Sequence, residues 1–146
     1  MEIINGKRTF DLDDMLSKPL FAHLSTVEVD MPKDSPVWFH WENNEIWIIG
    51  TKTDTFPKRI QKNSKCAIGI VDFDSLTGKV LHAGFRGKGS LENFDSEIVY
   101  KIISKYLGQD EQDWDPRFQN LDDSNVLIRF TPDTVVIRDQ SYIIKK

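Results

Sequence analysis

The stretch "GTKTDTFPKRIQKN", from Gly50 to Asn63, gathers hydroxyl, carboxylate and cationic groups in one short segment. Thr51, Thr53 and Thr55 offer hydroxyls, while Lys52, Lys58 and Arg59 offer positive charge. With Pro57 at the first helical position, the free amides of a following helix would face the loop and attract an anion, whereas in the plainer reading Thr55 merely caps that helix. Charge-assisted hydrogen bonds from the same residues would then anchor a phosphate group. An ordinary capped turn with a solvated basic face uses the same residue types, because Thr and Asp favour helix caps in loops of any function.

Three histidines, His23, His40 and His82, fall in β-like runs. None shows the HxH or HxxxH spacing of a metal site, and Cys66 has no CxxC partner, so no metal is expected. A hydrogen bond from His40 or His82 to a bound ring suits these positions better, beside the alternative of an uninvolved histidine. No GxSxG is present, and Cys66 sits in an apolar run where a thiol is inert. No residue stands out as a catalytic acid, base or nucleophile. Arg86, in "GFRGKGS", shares a strand face with His82 and Gly84, where the glycines leave room for a ligand or a second chain; a solvated arginine is the alternative.

The elements that would position these groups begin with a brief helix in "DLDDMLSKP", capped by Asp11 and ended by Pro19. The run "LFAHLSTVEV" reads as a strand and "DMPKDS" as a polar break. "SPVWFHW" and "IWIIG" form a hairpin joined by "ENNE", with Val37, Phe39 and Trp41 on one face and Trp38 and His40 on the other. Trp38, Phe39, Trp41 and Trp47 could wall a flat heteroaromatic ring or simply fill a barrel. An apolar slot next to a phosphate loop suits a nucleotide-like cofactor.

Beyond the loop, "KCAIGIVDF" reads as a strand buried on both faces. "VLHAGFRGKGSLENF" is a long strand whose Gly84, Gly87 and Gly89 mark bulges or bends. "DSEIVYKIISKYLG" is an amphipathic helix with Asp95 as cap and Gly108 as stop. The acidic stretch around Trp114 reads as a surface loop, or as a cover for a pocket. "NVLIRF" and "TVVIRD" close the chain as two strands joined by the turn "TPD". Strands not interleaved with crossover helices argue for a mainly β (α+β) fold, a six- to seven-stranded antiparallel barrel with a few short helices.

The 146 residues suffice for one domain, 1–146, with its own core. The net charge of −4 argues against a nucleic-acid partner. No apolar run is long enough to span a bilayer, and "MEIINGKRTF" lacks the apolar region of a signal peptide, so no membrane association and a cytoplasmic location are expected. The single cysteine agrees with a reducing compartment.

In this order, "SPVWFHWENNEIWIIG", "TKTDTFPKRIQKNSKCAIGIVDF", "HAGFRGKGSLENF" and "TPDTVVIRDQSY" resemble the pyridoxamine 5′-phosphate oxidase-like family of flavin-binding split barrels, from about Leu20 to Tyr142. The resemblance implies a Greek-key split barrel that dimerises, with FMN in clefts at the interface. It places Gly50, Thr51, Lys52, Thr55, Lys58 and Arg59 at or near the flavin phosphate, and Val37, Trp38, Phe39 and His40 along the ring. His82 and Arg86 would reach the flavin from the neighbouring chain. It implies an oxidoreductase acting on a small molecule, or alternatively a non-enzymatic stress or storage protein that holds flavin, deazaflavin or haem. The loop reads Thr55-Phe56-Pro57-Lys58 where the oxidase proper has a serine–arginine–lysine run, and "RDQSYIIKK" lacks its substrate-binding arginine–histidine segment. The substrate is therefore not expected to be pyridoxamine phosphate.

Overall fold

A computed structural model describes residues 1–4 and 10–145. The elements run β1 (Glu2–Ile3), α1 (Leu12–Leu16), β2 (Ala22–Glu28), β3 (Met31–Val37), β4 (His40–Glu42), β5 (Glu45–Thr51), α2 (Thr55–Lys62), β6 (Lys65–Asp74), β7 (Lys79–Glu92), α3 (Ser96–Leu107) and β8 (Asn125–Asp139). Two short 3₁₀ turns, Glu111–Asp113 and Pro116–Phe118, lie between α3 and β8.

The strands form one sheet in the order β3-β2-β6-β7-β8-β5-β4, antiparallel throughout, with β1 added parallel to β8. The end strands β3 and β4 are not bonded to each other, yet only Trp38 and Phe39 separate them in the chain. Two residues span at most ~10 Å. The sheet must therefore curl until its ends nearly meet, which is a split barrel with the split at Trp38–Phe39. The mainly antiparallel α+β barrel expected from the sequence is the observed fold, with eight strands among the described residues in place of six or seven.

Several elements differ from expectation for local reasons. The polar "DMPKDS" is not a break but most of β3, paired with β2 after a tight turn in which Val29 takes φ 60°. As the last strand of the path, β3 can carry Pro32 and Pro36 without breaking a ladder on its outer side. The "ENNE" link tightens to a two-residue turn, Asn43-Asn44, with both φ positive (52° and 58°), the type that matches strand twist. It sets Glu42 opposite Glu45, and each carboxylate has a cation, Lys101 and Arg129 respectively. The closing segment is one fifteen-residue strand, not two. Pro132 sits within it opposite Gly87, at a register shift where β7 and β8 bend. A Cβ on Gly87 would lie 2.2 Å from the Thr131 carbonyl oxygen, so only glycine allows the two backbones to approach there.

Alternation along the strands builds two cores. The barrel interior holds Leu24, Phe39, Ile46, Ile48, Ile68, Ile70, Phe85 and Phe130. On the other side of β5, Trp47 and Ile49 meet Ile98, Val99, Ile102 and Ile103 of α3. The α3 stripe, its Asp95 cap and its Gly108 stop (φ 97°) match the sequence reading, as does the Asp11-capped α1 with Leu12, Met15 and Leu16 buried. Trp114 departs from it. The ring is buried in the second core, and its Nε1 donates to the Gly108 carbonyl at 2.7 Å. The β6 run is buried on one face only: Cys66, Ile68, Ile70 and Asp72 point inward, while Val71 and Phe73 are 46% and 58% exposed.

Candidate functional site

The split in the barrel leaves backbone groups without a ladder partner, and α3 supplies one. The Phe39 amide donates to the Tyr106 hydroxyl at 3.1 Å, and that hydroxyl donates to the Leu20 carbonyl at 2.6 Å. Burial pushes the Tyr106 phenol up to about 12, so it keeps the proton this relay requires. The same residue fixes Trp38. The Trp38 indole stacks on the Tyr106 ring at 4.5 Å and 5°, and Phe118 covers its other face at 5.0 Å and 28°.

Beside this stack lies a cleft of about 450 Å³. Its walls are Val37 and Trp38 from the split, Ile49, Gly50 and Thr51 from the end of β5, Phe56 from α2, and Ile102 and Ile103 from α3. Arg117, Phe118 and Leu121, from the acidic stretch, close one side, and Phe21, 57% exposed, stands at another. The cleft is predominantly apolar and of the size that holds a small organic ligand.

The polar loop is built around Asp54. This residue, not Thr55, caps α2, and Pro57 falls at the third helical position. Pro57 is tolerated there because the first turn's N–H groups have no intrahelical partner in any case. The Asp54 carboxylate turns back to accept from the Thr51 amide at 2.7 Å, and the Thr51 and Thr53 hydroxyls bond each other at 2.9 Å. Most of the loop oxygens thus satisfy the loop itself, and the carboxylate beside Thr51 disfavours a phosphate there.

The cations point the other way. Thr55, Lys58 and Arg59 line a second cavity of about 470 Å³ with Lys62, on the far side of the first turn of α2. The Arg59 Nε donates to the buried Thr26 hydroxyl at 2.7 Å, which ties α2 to β2. Among the twelve residues that sequence reasoning selected, Val37, Trp38, Gly50 and Thr51 share the apolar cleft, whereas Thr55, Lys58 and Arg59 share the cationic one. Lys52 is exposed at the loop. The Phe39 side chain is fully buried in the barrel core.

The remaining three lie elsewhere. His40 lines a separate cavity against α1 and α3. His82 and Arg86 lie on the outer face of β7, in register with Val71 and Ala67 of β6. Between them, Gly69 faces Gly84, and a Cβ on Gly69 would meet nothing within 4 Å. Burial and the Arg138 guanidinium hold the His82 imidazole below its ordinary pKa.

Of the hairpin aromatics only Trp38 reaches the cleft. Trp41 packs on Phe85 at 5.6 Å and donates to Asp13 at 2.7 Å, and Trp47 joins the second core. Sequence reasoning missed Arg117 and Phe118, whose acidic surroundings read as solvent-exposed loop. Among the described residues no three His, Cys, Asp or Glu side chains are grouped to hold a metal ion. Burial pushes the Cys66 thiol up to about 11, the inert state expected of it.

No family model matches the chain, and no curated protein matches it. Solved structures do. The conserved hypothetical protein Rv2991 of Mycobacterium tuberculosis superposes with a TM-score of 0.75 at 14% identity, covering 94% of this chain and 87% of that one. A structure assigned as a pyridoxamine 5′-phosphate oxidase from Listeria innocua gives 0.66 at 22% identity, over 90% of this chain and all (100%) of the other. The heme storage protein HutZ of Vibrio cholerae gives 0.67 at 12% identity, covering 88% and 92%. The fold is that of the pyridoxamine 5′-phosphate oxidase-like split barrels.

Proposed function

We propose that this chain, built on the split-barrel fold of the pyridoxamine 5′-phosphate oxidase-like proteins, is an FMN-binding homodimer that moves hydride between its flavin and a small molecule. The observation that carries the reading is the pairing of two cavities across the first turn of α2, one apolar and one cationic. A ligand with a flat ring at one end and a phosphate at the other suits that pair. Val37, Trp38, Gly50 and Thr51 would hold the ring and its linker, and Thr55, Lys58 and Arg59 the phosphate. The flavin supplies the hydride chemistry, and the chain supplies anchoring, exclusion of water and orientation.

The outer face of β6 and β7 supports the dimer. It presents Val71 and Phe73 beside the bare backbone of Gly69 and Gly84. A second copy seated there would bring its own His82 and Arg86 toward the ligand. A second reading, a non-enzymatic holder of flavin, deazaflavin or haem, is favoured by Phe118, which already covers the open face of Trp38.

The visible spectrum of the purified protein and an FMN titration test the proposal. A yellow protein, or one that takes up FMN at micromolar concentration, is expected; a colourless protein that binds none refutes it. Lys58→Ala should weaken binding by roughly tenfold or more, the worth of one charge-assisted contact. Unchanged affinity would put the phosphate elsewhere. Reduction of the bound flavin by a nicotinamide donor separates the enzyme from the holder.

A further inference from the structure

A separate cavity of about 330 Å³ lies where α1, β4 and α3 meet, lined by Leu16, His40, Trp41, Lys101, Ser104 and Lys105. Lys105 is the unusual member. Its ammonium sits 3.6 Å above the centre of the Phe39 ring and donates to the Leu16 carbonyl at 3.1 Å. Neither group carries a compensating charge. The charged groups nearby are otherwise engaged: Lys101 bonds Glu42 at 3.2 Å and Glu97 at 3.5 Å, and Asp13 accepts from Trp41.

His40 adds an unsatisfied group. Its Nε2 is buried without a hydrogen-bond partner among the described residues, and the nearest carboxylate oxygen, on Glu42, is 3.6 Å away. Burial outweighs Glu42 and keeps the imidazole pKa below its ordinary value. An orphaned buried nitrogen is costly unless something in the cavity bonds it.

We infer that this cavity is a carbonyl-capture site, in which the Lys105 amine condenses with a small neutral aldehyde. The amine nitrogen adds to the carbonyl carbon, the former carbonyl oxygen becomes a hydroxyl, and loss of one water leaves an imine. No oxidant or reductant is consumed. The His40 Nε2 bonds the intermediate hydroxyl and passes its proton. Desolvation accounts for the reactivity: burial pulls the Lys105 ammonium down to about 7, so free amine is present at neutral pH. An ordinary lysine, near 10.4, has roughly one part in a few thousand as amine at that pH. A lysine desolvated in an apolar pocket is a recognised way of making an amine nucleophilic. The site shares no lining residue with either cavity at α2.

The test is reductive trapping of the full-length protein with butanal and cyanoborohydride, followed by peptide mapping. At pH 7 Lys105 should carry at least about tenfold more adduct than any surface lysine, with the advantage disappearing near pH 10 as the others deprotonate. Lys105→Met should remove that selective adduct while leaving surface labelling unchanged, and His40→Gln should slow its formation severalfold. Adduct spread evenly over the lysines at pH 7, or Lys105 labelled less than they are, overturns the inference in the wild-type protein alone, whatever the variants do.

Discussion

The hydroxyl of Tyr106 bridges the chain on either side of the split in the barrel, so Tyr106→Phe is a sharp probe of the architecture. The substitution keeps the ring, and with it the 4.5 Å stack on Trp38, and deletes only the oxygen. Two groups then lose their partner: the Phe39 amide, donating at 3.1 Å, and the Leu20 carbonyl, accepting at 2.6 Å. Phe39 is fully buried. An unsatisfied buried polar group costs about 1–3 kcal/mol, so the pair should cost about 2–6 kcal/mol if no water replaces the oxygen. That is a large share of the 5–15 kcal/mol that holds a typical domain together. Urea unfolding followed by tryptophan emission would read it as a lower midpoint with an unchanged slope. Tyr106→Leu should lose a further ~1 kcal/mol, because the aromatic stack goes as well. A Tyr106→Phe loss below about 0.5 kcal/mol would refute the idea that this hydroxyl seals the split.

Three further outcomes follow from the same structure. Gly87→Ala should cost at least about 2 kcal/mol, since its Cβ would meet backbone at 2.2 Å, whereas Gly69→Ala, with open space, should change monomer stability by less than about 0.5 kcal/mol; thermal melts of both check this. Phe73→Asp on the outer face of β6 should convert a dimer to a monomer in sedimentation, and a wild-type monomer would remove the basis for that prediction. Stability should climb with pH in two limbs. His40 and His82 have folded pKa values below their ordinary 6.5, so the unfolded chain binds more protons and stability is lost as pH falls below about 6.5. Lys105, at about 7 against 10.5, adds a rise between those values that Lys105→Met should flatten. Urea midpoints from pH 5 to 10 measure both limbs.

The parts of the fold that were legible in the sequence are those fixed by local rules. The α3 stripe, with Asp95 before it and Gly108 after it, needs no tertiary information, and the alternation from Val37 to Trp41 assigned each side chain to its observed side. The parts that were not legible depend on what lies opposite. "DMPKDS" has no apolar face, and it becomes β3 only because β2 offers a bonded edge. Pro132 reads as a turn residue, and only the glycine across from it in β7 makes it a bend within a strand. The cap slipped by one residue because Asp54 and Thr55 are both good caps, and the contact that separates them, Asp54 to the Thr51 amide, lies within the loop itself. In the candidate site, the resemblance grouped Gly50 and Thr51 with the cations at one phosphate, and nothing in the residues told that the two would line the apolar cleft while Thr55, Lys58 and Arg59 took the other side of α2.

The Trp38–Phe39 pair explains why two candidate sites adjoin one defect in the sheet. In an unbroken strand these residues would be held by ladder bonds on both sides. Here their only backbone tie among the described side chains is Tyr106, and the two rings leave the chain in opposite directions. Trp38 goes outward to form a wall of the apolar cleft, while Phe39 goes inward and presents its face to Lys105. Neither placement serves the barrel alone: a closed sheet would have no cleft beside Trp38, and its core would have no reason to approach a lysine. Both depend on α3, which contributes Ile102 and Ile103 to the cleft, Tyr106 to the seal and Lys105 to the cavity shared with His40 within two turns. The helix that the sequence showed most plainly as packing is therefore also the element that carries the most site chemistry.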